Sequence, residues 1–211
     1  MLVKERMTLN PYTVTPETSI SDAFSIMREH NFHRLPVMQK NKLVGIVTEK
    51  ELQRVSPSEA TSLSVFELNY LLTKMTVKDA MTKNPYTVQD TDLIETAAVL
   101  MRDHDIGSLP VMHGNRLVGI ITESDIFDAF IDMLGARSTA TRIAVRVPDG
   151  PGIGADVFGI ISKYDVNIQN IAYTVGREGP ELIFRLDTED ASSIKRALTA
   201  KGYEIVEAEC R

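Results

Sequence analysis

Met7-Thr8-Leu9-Asn10-Pro11-Tyr12-Thr13-Val14 returns as Met81-Thr82-Lys83-Asn84-Pro85-Tyr86-Thr87-Val88. Further along, Arg34-Leu35-Pro36-Val37-Met38 returns as Ser108-Leu109-Pro110-Val111-Met112, and Leu43-Val44-Gly45-Ile46-Val47-Thr48-Glu49 as Leu117-Val118-Gly119-Ile120-Ile121-Thr122-Glu123. From Met7 to Met81 and from Leu43 to Leu117 the offset is the same, 74 residues, and about half of the aligned positions are identical without a gap. An unbroken offset means one structural unit duplicated, and two homologous units pack about a pseudo-two-fold axis. Clefts between such units are where small ligands prefer to bind.

Within each copy the pattern reads strand, helix, strand, strand, helix. Thr13-Val14 and Thr87-Val88 are short β-prone pieces after Asn-Pro turns. Ile20, Ala23, Phe24 and Met27 then recur at helical spacing, as do Ile94, Ala97, Ala98 and Met101. Asp92 and Glu95 read as a capping box for the second of these helices. The Leu-Pro-Val and Val-Gly-Ile strands are joined by Lys40-Asn41-Lys42 in one copy and by Gly114-Asn115 in the other. Thr48 and Thr122 stand where a strand gives way to a helix, as N-caps do. A polar loop from Ser56 to Thr61 and a helix marked by Leu63, Phe66, Tyr70 and Leu71 lead into the second copy. Val3-Lys4 matches Val77-Lys78, so the duplication begins ahead of the first motif, and it fades after Ile126.

From Arg142 the text changes. An alternating strand (Ile143 to Val147), a turn at Asp149-Gly150-Pro151-Gly152 and a helix through Val157, Ile160, Ile161 and Tyr164 come first. Strands over Val166 to Val175 and Leu182 to Leu186, a helix over Ser192 to Ala200 and a strand over Tyr203 to Val206 complete βαββαβ. This order predicts an antiparallel sheet with both helices on one face, hinged to the repeats by Gly135 to Thr141. The 211 residues are 43% hydrophobic and 25% charged, with net charge −6. No basic face suggests nucleic acid, no apolar run reaches membrane length, and no signal-peptide core opens the chain. Cys210 stands alone, so no intrachain disulfide forms, and a reducing cytoplasm is expected.

The repeated unit resembles the CBS domain: an Asn-Pro-x-Thr-Val start, a Leu-Pro-Val strand, a Val-Gly-Ile strand and a Thr-x-x-Asp helix start. The tandem resembles a CBS pair, or Bateman module. The tail resembles an ACT domain, with Asp-x-Pro-Gly-Ile before its first helix and Val-Asn-Ile opening its second strand. The combination is similar to the AcuB-like acetoin-utilisation proteins. The implied fold is α/β (α+β): a CBS-domain pair with pseudo-two-fold symmetry followed by a βαββαβ ferredoxin-like ACT domain. The expected bounds are 1–55 for the first CBS domain, 56–76 for a linker and connecting helix, 77–135 for the second CBS domain and 140–211 for the ACT domain.

Thr122-Glu123-Ser124-Asp125 carries the sharpest chemistry. A helix N-terminus offers free N–H groups to a phosphate, and the Thr122 hydroxyl can join them. Asp125 lies on the same side of the first turn, where its two oxygens can accept both hydroxyls of a ribose. The resemblance assigns Asp125 the ribose-anchor role. It groups Thr122, Ser124, Gly107 and Ser108 with Phe32, His33, Thr8 and Thr13 of the first copy, Phe32 flanking an adenine and His33 approaching a phosphate. The mirror site, expected to be the weaker, comprises Thr48, Glu51, Lys50, Arg34, Thr82, Thr87 and Ile106. Glu51 replaces the expected aspartate, and its extra methylene spoils a two-point ribose contact, while Arg34, Lys50 and His33 make this side the more cationic. The alternative for Asp125 is a carboxylate that only stabilises its own helix.

In the tail, the resemblance allows an amino-acid site of Asp149, Gly152, Ile153 and Asn167 across a dimer interface, beside the plainer reading that this domain only dimerises. Gly150-Pro151-Gly152-Ile153-Gly154 fails as a dinucleotide loop, because its third glycine comes one residue early and too little chain follows. His30, His33 and His104 lack a cysteine or a carboxylate at ligand spacing, so no metal site is expected, and a helix-end histidine fits the dipole. No activated nucleophile or acid–base pair is evident, so no catalytic residues are assigned. The expectation is a non-catalytic regulator of an enzyme partner, homodimeric, with an adenine nucleotide (AMP, ADP or ATP) as ligand and no further cofactor. The alternatives are an S-adenosylmethionine binder and a passive dimeric scaffold with degenerate sites.

Overall fold

The computed structural model describes residues 1–56 and 74–209. The sequence expectations for Pro57 to Tyr70 and for Leu71 and Cys210 fall outside those residues. The chain divides into two units, Met1–Ile126 and Phe127–Arg211.

In the first unit, the first copy supplies β1 (Thr8–Leu9), α1 (Ile20–His30), β2 (Arg34–Gln39), β3 (Lys42–Thr48) and α2 (Glu49–Val55). The second supplies α3 (Val77–Ala80), β4 (Thr82–Lys83), β5 (Val88–Gln89), α4 (Ile94–His104), β6 (Ser108–His113), β7 (Arg116–Thr122) and the first turn of α5 (Glu123–Met133), whose residues from Phe127 onward belong to the second unit. Ser19 caps α1 by accepting from the Asp22 N–H at 3.0 Å, and Asn31 ends it in the left-handed region. Ile20, Ala23 and Met27 form the buried stripe of α1, which packs on Leu35, Val37 and Val47 of its hairpin. The hairpin turns on Lys40 and Asn41, both at positive φ as a tight primed turn requires. Asp92 does not cap α4. Leu93 holds that position, and Asp92 instead accepts from the Gln89 N–H at 2.8 Å, closing a turn ahead of the helix.

The sequence repeat and the structural repeat do not coincide, because each copy lends its head to the other. β1 pairs antiparallel with β7 (Thr8 with Ile120, Leu9 with Gly119), and β4 pairs with β3 (Ile46 with Thr82, Gly45 with Lys83). The Val3 and Lys4 N–H groups donate to Asp92 and Asp90, while Val77 and Lys78 donate to Thr18 and Pro16. Val77 is wholly buried in the core of the first copy, beside Ile20 and Leu52. The sheet orders are therefore β1-β7-β6-β5 and β2-β3-β4. The exchange explains the Val-Gly-Ile motif. A Cβ at Gly119 would lie 2.6 Å from Met7 Sδ and 3.0 Å from the Thr8 carbonyl, and one at Gly45 would lie 2.7 Å from Met81 Sδ and 3.0 Å from the Thr82 carbonyl. Only glycine lets the visiting strand come so close.

The second unit carries β8 (Thr141–Arg146), α6 (Ile153–Ile161), β9 (Ile168–Gly176), β10 (Gly179–Leu186), α7 (Ser192–Ala200) and β11 (Glu204–Glu209). The sheet is antiparallel in the order β11-β8-β10-β9. Val157, Ile160 and Ile161 of α6 share one core with Ile194 and Leu198 of α7 and with Ile143, Val145, Leu182 and Phe184, so both helices cover the same face. The segment expected to be a hinge is built into this unit. Asn170 Nδ2 donates to the Met133 carbonyl (2.8 Å) and Arg185 Nε to that of Leu134 (2.9 Å), satisfying the carbonyls that a helix end leaves open. Gly135 follows at φ 61°, where a Cβ would collide with Asn170, and Ala140 and Thr141 are buried.

Candidate functional site

Two cavities of the first unit are related by the repeat. One, of about 340 Å³, is lined by Thr8 to Tyr12, Asn31 to Leu35, Ile120, Thr122 and Ser124. The other, of about 690 Å³, is lined by Thr82 to Tyr86, Asp105 to Ser108, Ile46, Thr48 and Lys50, the counterparts at offset 74, together with Glu49, Glu51, His33 and Arg34. Each cleft thus combines the head and the helix-to-strand loop of one copy with the strand end and helix start of the other. This follows from the exchange of β1 and β4, and it corrects part of the expected grouping. Gly107 and Ser108 line the Glu51 cleft, not the Asp125 cleft, although the Gly107 carbonyl also receives the Glu123 N–H at the start of α5. Thr8, Phe32, His33, Thr122 and Ser124 meet in the Asp125 cleft, and Thr48, Lys50, Glu51, Arg34, Thr82 and Ile106 in the other. Thr13 and Thr87 line neither cleft. The valines that follow them are buried and anchored to Val37 and Val111, which carries the chain past the opening.

The two helix starts are chemically unequal. At α5, Asp125 Oδ2 accepts from the Thr122 N–H and hydroxyl, both at 2.8 Å. The carboxylate does therefore stabilise its own helix; Asp125 is half-buried and, unlike Glu51 in the other cavity, is not among the lining residues, whereas its neighbours Thr122 and Ser124 are. Its Oδ1 accepts no hydrogen bond among the described residues. At α2, Glu51 Oε2 makes the same cap to Thr48 (2.8 and 2.9 Å), but its Oε1 also accepts from the Thr82 hydroxyl at 2.5 Å. The extra methylene carries the outer oxygen to a protein donor, so both oxygens of Glu51 are engaged. Thr8, the counterpart of Thr82, leaves Asp125 alone.

Aromatic rings wall both clefts. Tyr12 lies 4.2 Å from His30 and 5.4 Å from Phe32 between ring centroids, and Tyr86 stacks on His104 at 3.9 Å. Both histidines sit in the last turn of their helices. His33 Nδ1 faces Glu49 Oε2 at 3.2 Å. Among the described residues no group of His, Cys, Asp and Glu is arranged to hold a metal ion. Tyr12, Tyr86 and Lys83 line the clefts without having been singled out from the sequence, although the repeated Asn-Pro-Tyr was a signal for the first two. Asn10 and Asn84 adopt φ 48°, which turns each tyrosine loop into its cleft.

Arg34 lines both clefts. Its Nη1 donates to the Gly107 carbonyl, which also receives the Glu123 N–H at 3.2 Å. Burial of the guanidinium pulls its pKa below the ordinary arginine value, against the opposing pull of Glu123 and Asp125. The repeat counterpart of Arg34 is the buried Ser108, so the pair of clefts holds one guanidinium where two-fold symmetry would give two or none. In the second unit, Asp149 and Gly152 are exposed ahead of α6, Ile153 is half-buried against the core, and the exposed Asn167 accepts from the Asp187 N–H through its carbonyl. None of the four lines a described cavity.

The family model for the CBS domain matches residues 3–58 and 77–132, more than half of the chain. The chain belongs to the CBS-domain family. The two matches are the two copies of the sequence repeat. The chain is 32% identical over 136 residues to a CBS domain-containing protein of Dictyostelium discoideum, covering 64% of this chain and 94% of that one. It is 51% identical over 128 residues to a homoserine O-acetyltransferase of Methanocorpusculum labreanum, covering 60% of this chain but only 23% of the enzyme. Among solved structures it is similar to CBSX2 of Arabidopsis thaliana in complex with AMP (31% identity, TM-score 0.51, covering 62% of this chain and 96% of that one). It is also similar to a protein described as an acetoin utilization protein, AcuB, of Vibrio cholerae (28%, TM-score 0.53, 65% and 95%). A third is the CBS domain pair of protein MJ0100 in complex with 5′-methylthioadenosine and S-adenosyl-L-methionine (28%, TM-score 0.52, 65% and 98%).

Proposed function

We propose that the CBS pair is a regulatory, non-catalytic receptor for an adenine nucleotide, bound in the Asp125 cleft. The observation that carries this reading is the difference between the two carboxylates: Asp125 keeps an unengaged oxygen beside Thr122, where Glu51 has none. A ribose hydroxyl can take that oxygen, and an adenine can lie against Phe32 and Tyr12. A phosphate would meet the helix start at Thr122 and Ser124, on the dipole end that favours anions. A hydrogen bond to a charged acceptor contributes about 1.5–3 kcal/mol, so the ribose contact on that oxygen would supply part of the ~8 kcal/mol of a micromolar complex. The AMP complex of CBSX2 supports this reading. The methylthioadenosine and S-adenosyl-L-methionine complex of MJ0100 favours a second one, an S-adenosyl ligand that uses the same adenosine contacts.

The βαββαβ order and the four-stranded antiparallel sheet of the second unit support an ACT domain, and we propose that it dimerises. β9 is an edge strand nine residues long that leaves Ile171, Tyr173 and Val175 more than half exposed. An amino-acid site at Asp149, Gly152, Ile153 and Asn167 would be completed only in such a dimer. Regulation of an enzyme partner belongs to the same reading, and a link to acetoin utilisation rests on similarity to the Vibrio cholerae protein. A thermal-melt series with AMP, ADP, ATP, S-adenosylmethionine and amino acids tests the function. A ligand at 100 times its Kd adds about 2.7 kcal/mol, several degrees for a chain of this size. The nucleotides are expected to raise Tm most, and no shift with any adenosine ligand would remove the proposal.

A further inference from the structure

We infer that the second unit holds a site for a short aliphatic carboxylate, lined by no residue of either cleft and by none of Asp149, Gly152, Ile153 and Asn167. Strand register sets it up. Successive side chains in a strand point to opposite faces. Ile143, Val145, Leu182 and Phe184 point to the core beneath the two helices, so Ala144, Ile183 and Arg185 face the other side of the sheet. On that side Arg142, Arg185 and Asn170 stand in one cross-strand row, and Ala144, Ile183 and Ala172 in the next. The chain leaving α5 lies against these strands at Leu134 and Ala136 and encloses with them a cavity of about 170 Å³.

The lining divides by chemistry. Leu134, Ala172 and Ile183 are apolar, Arg142 and Arg185 are cationic, and no acidic residue lines the cavity among the described residues. Arg185 is buried, and its Nε donates to the Leu134 carbonyl at 2.9 Å, which fixes the side chain. Arg142, its side chain 24% exposed, pairs through Nη1 with Glu207, and its Nε and Nη2 make no hydrogen bond among the described residues. Like charges directly opposite in a ladder repel, and an anion beside the two relieves that repulsion while taking the paired donors of a guanidinium. An amine does not fit. Asn170 turns Nδ2 to the Met133 carbonyl (2.8 Å) and Oδ1 to Gly135, where an added Cβ would lie 2.0 Å from it, so it offers an ammonium no acceptor. A cavity of roughly 150 Å³ holds a benzene-sized molecule, so this one takes about six to eight heavy atoms, the size of isovalerate.

NMR titration of the full chain with isovalerate, valine (the same skeleton with an amine) and isoamyl alcohol (the same skeleton without the charge) tests this, on the wild type, Ala172→Leu and Arg142→Gln. Isovalerate should bind saturably and at least about tenfold more tightly than either analogue, the equivalent of one charge-assisted hydrogen bond. Its amide shift changes should centre on Ala172 and Ile183 and spare Asp149 to Ile153. Ala172→Leu, which fills the cavity from its floor, should abolish binding. Arg142→Gln, a change at a partly exposed ion pair, should lower isovalerate to the affinity of the alcohol while changing the alcohol by less than about threefold. Valine binding as tightly as isovalerate would overturn the inference, as would isovalerate binding that survives Ala172→Leu or keeps its preference over the alcohol in Arg142→Gln. Shift changes centred on Asp149 to Ile153, or no saturable binding of isovalerate by the wild type, would overturn it as well.

Discussion

Glu51→Asp converts one cleft into a copy of the other. In the wild type, Oε2 caps α2 through Thr48 while Oε1 accepts from the Thr82 hydroxyl at 2.5 Å. Removing one methylene draws the carboxylate back by about 1.5 Å. Asp125 shows that an aspartate keeps the cap, reaching Thr122 at 2.8 Å. With the cap kept, the outer oxygen would stand roughly 4 Å from Thr82, beyond hydrogen-bond range. The lost bond lies in a partly exposed cleft and costs about 1 kcal/mol, so Tm of the unliganded protein should fall by roughly 2–4 °C. In exchange, an oxygen becomes available to a ribose. Titration calorimetry with AMP should change from one equivalent per chain to two. A lowered Tm with unchanged stoichiometry and affinity would show that the Thr82 contact is not what closes this cleft, and would refute the reasoning.

Gly119→Ala should destabilise the chain by about 1–3 kcal/mol and weaken AMP binding, because the new Cβ pushes on Met7 and on the carbonyl of Thr8, a lining residue of the Asp125 cleft; thermal melts and titration read the two effects. Asp79 accepts from the Thr76 N–H and hydroxyl (both 3.0 Å), and these bonds, the backbone one first, hold its pKa below the ordinary value. Its contribution is therefore present above about pH 4 and lost as pH falls through the depressed value, so Asp79→Asn should flatten the decline of Tm on the acid side. Val175→Lys places a charge on the exposed edge strand β9 and should turn a dimer into a monomer in sedimentation; a dimer that persists would move the interface elsewhere.

Much of this architecture is legible in the sequence because the repeat states it twice. Helix and strand periods, the Thr48 and Thr122 caps and the unequal carboxylates at positions 51 and 125 are all local, and local signals are visible in a chain. The exchange of heads is not. Thr8-Leu9 and Thr82-Lys83 have the same strand propensity whichever copy they join, and only the glycines that admit them, Gly119 and Gly45, hint at a close neighbour. Missing the exchange is what sends Gly107 and Ser108 to the wrong cleft. The Thr82 bond to Glu51 bridges 31 residues and depends on a methylene's reach, which no spacing rule reports. Gly135 reads as a hinge by composition, yet its left-handed φ and the absence of a Cβ serve close packing against Asn170.

A crystal structure of the chain grown with AMP tests the central claim most directly. The account predicts one well-ordered nucleotide per chain, a ribose hydroxyl on Asp125, its base against Phe32 and Tyr12, and its phosphate at the Thr122-Glu123-Ser124 turn. A nucleotide bound only in the Glu51 cleft, or one in the Asp125 cleft whose ribose does not touch Asp125, would contradict it.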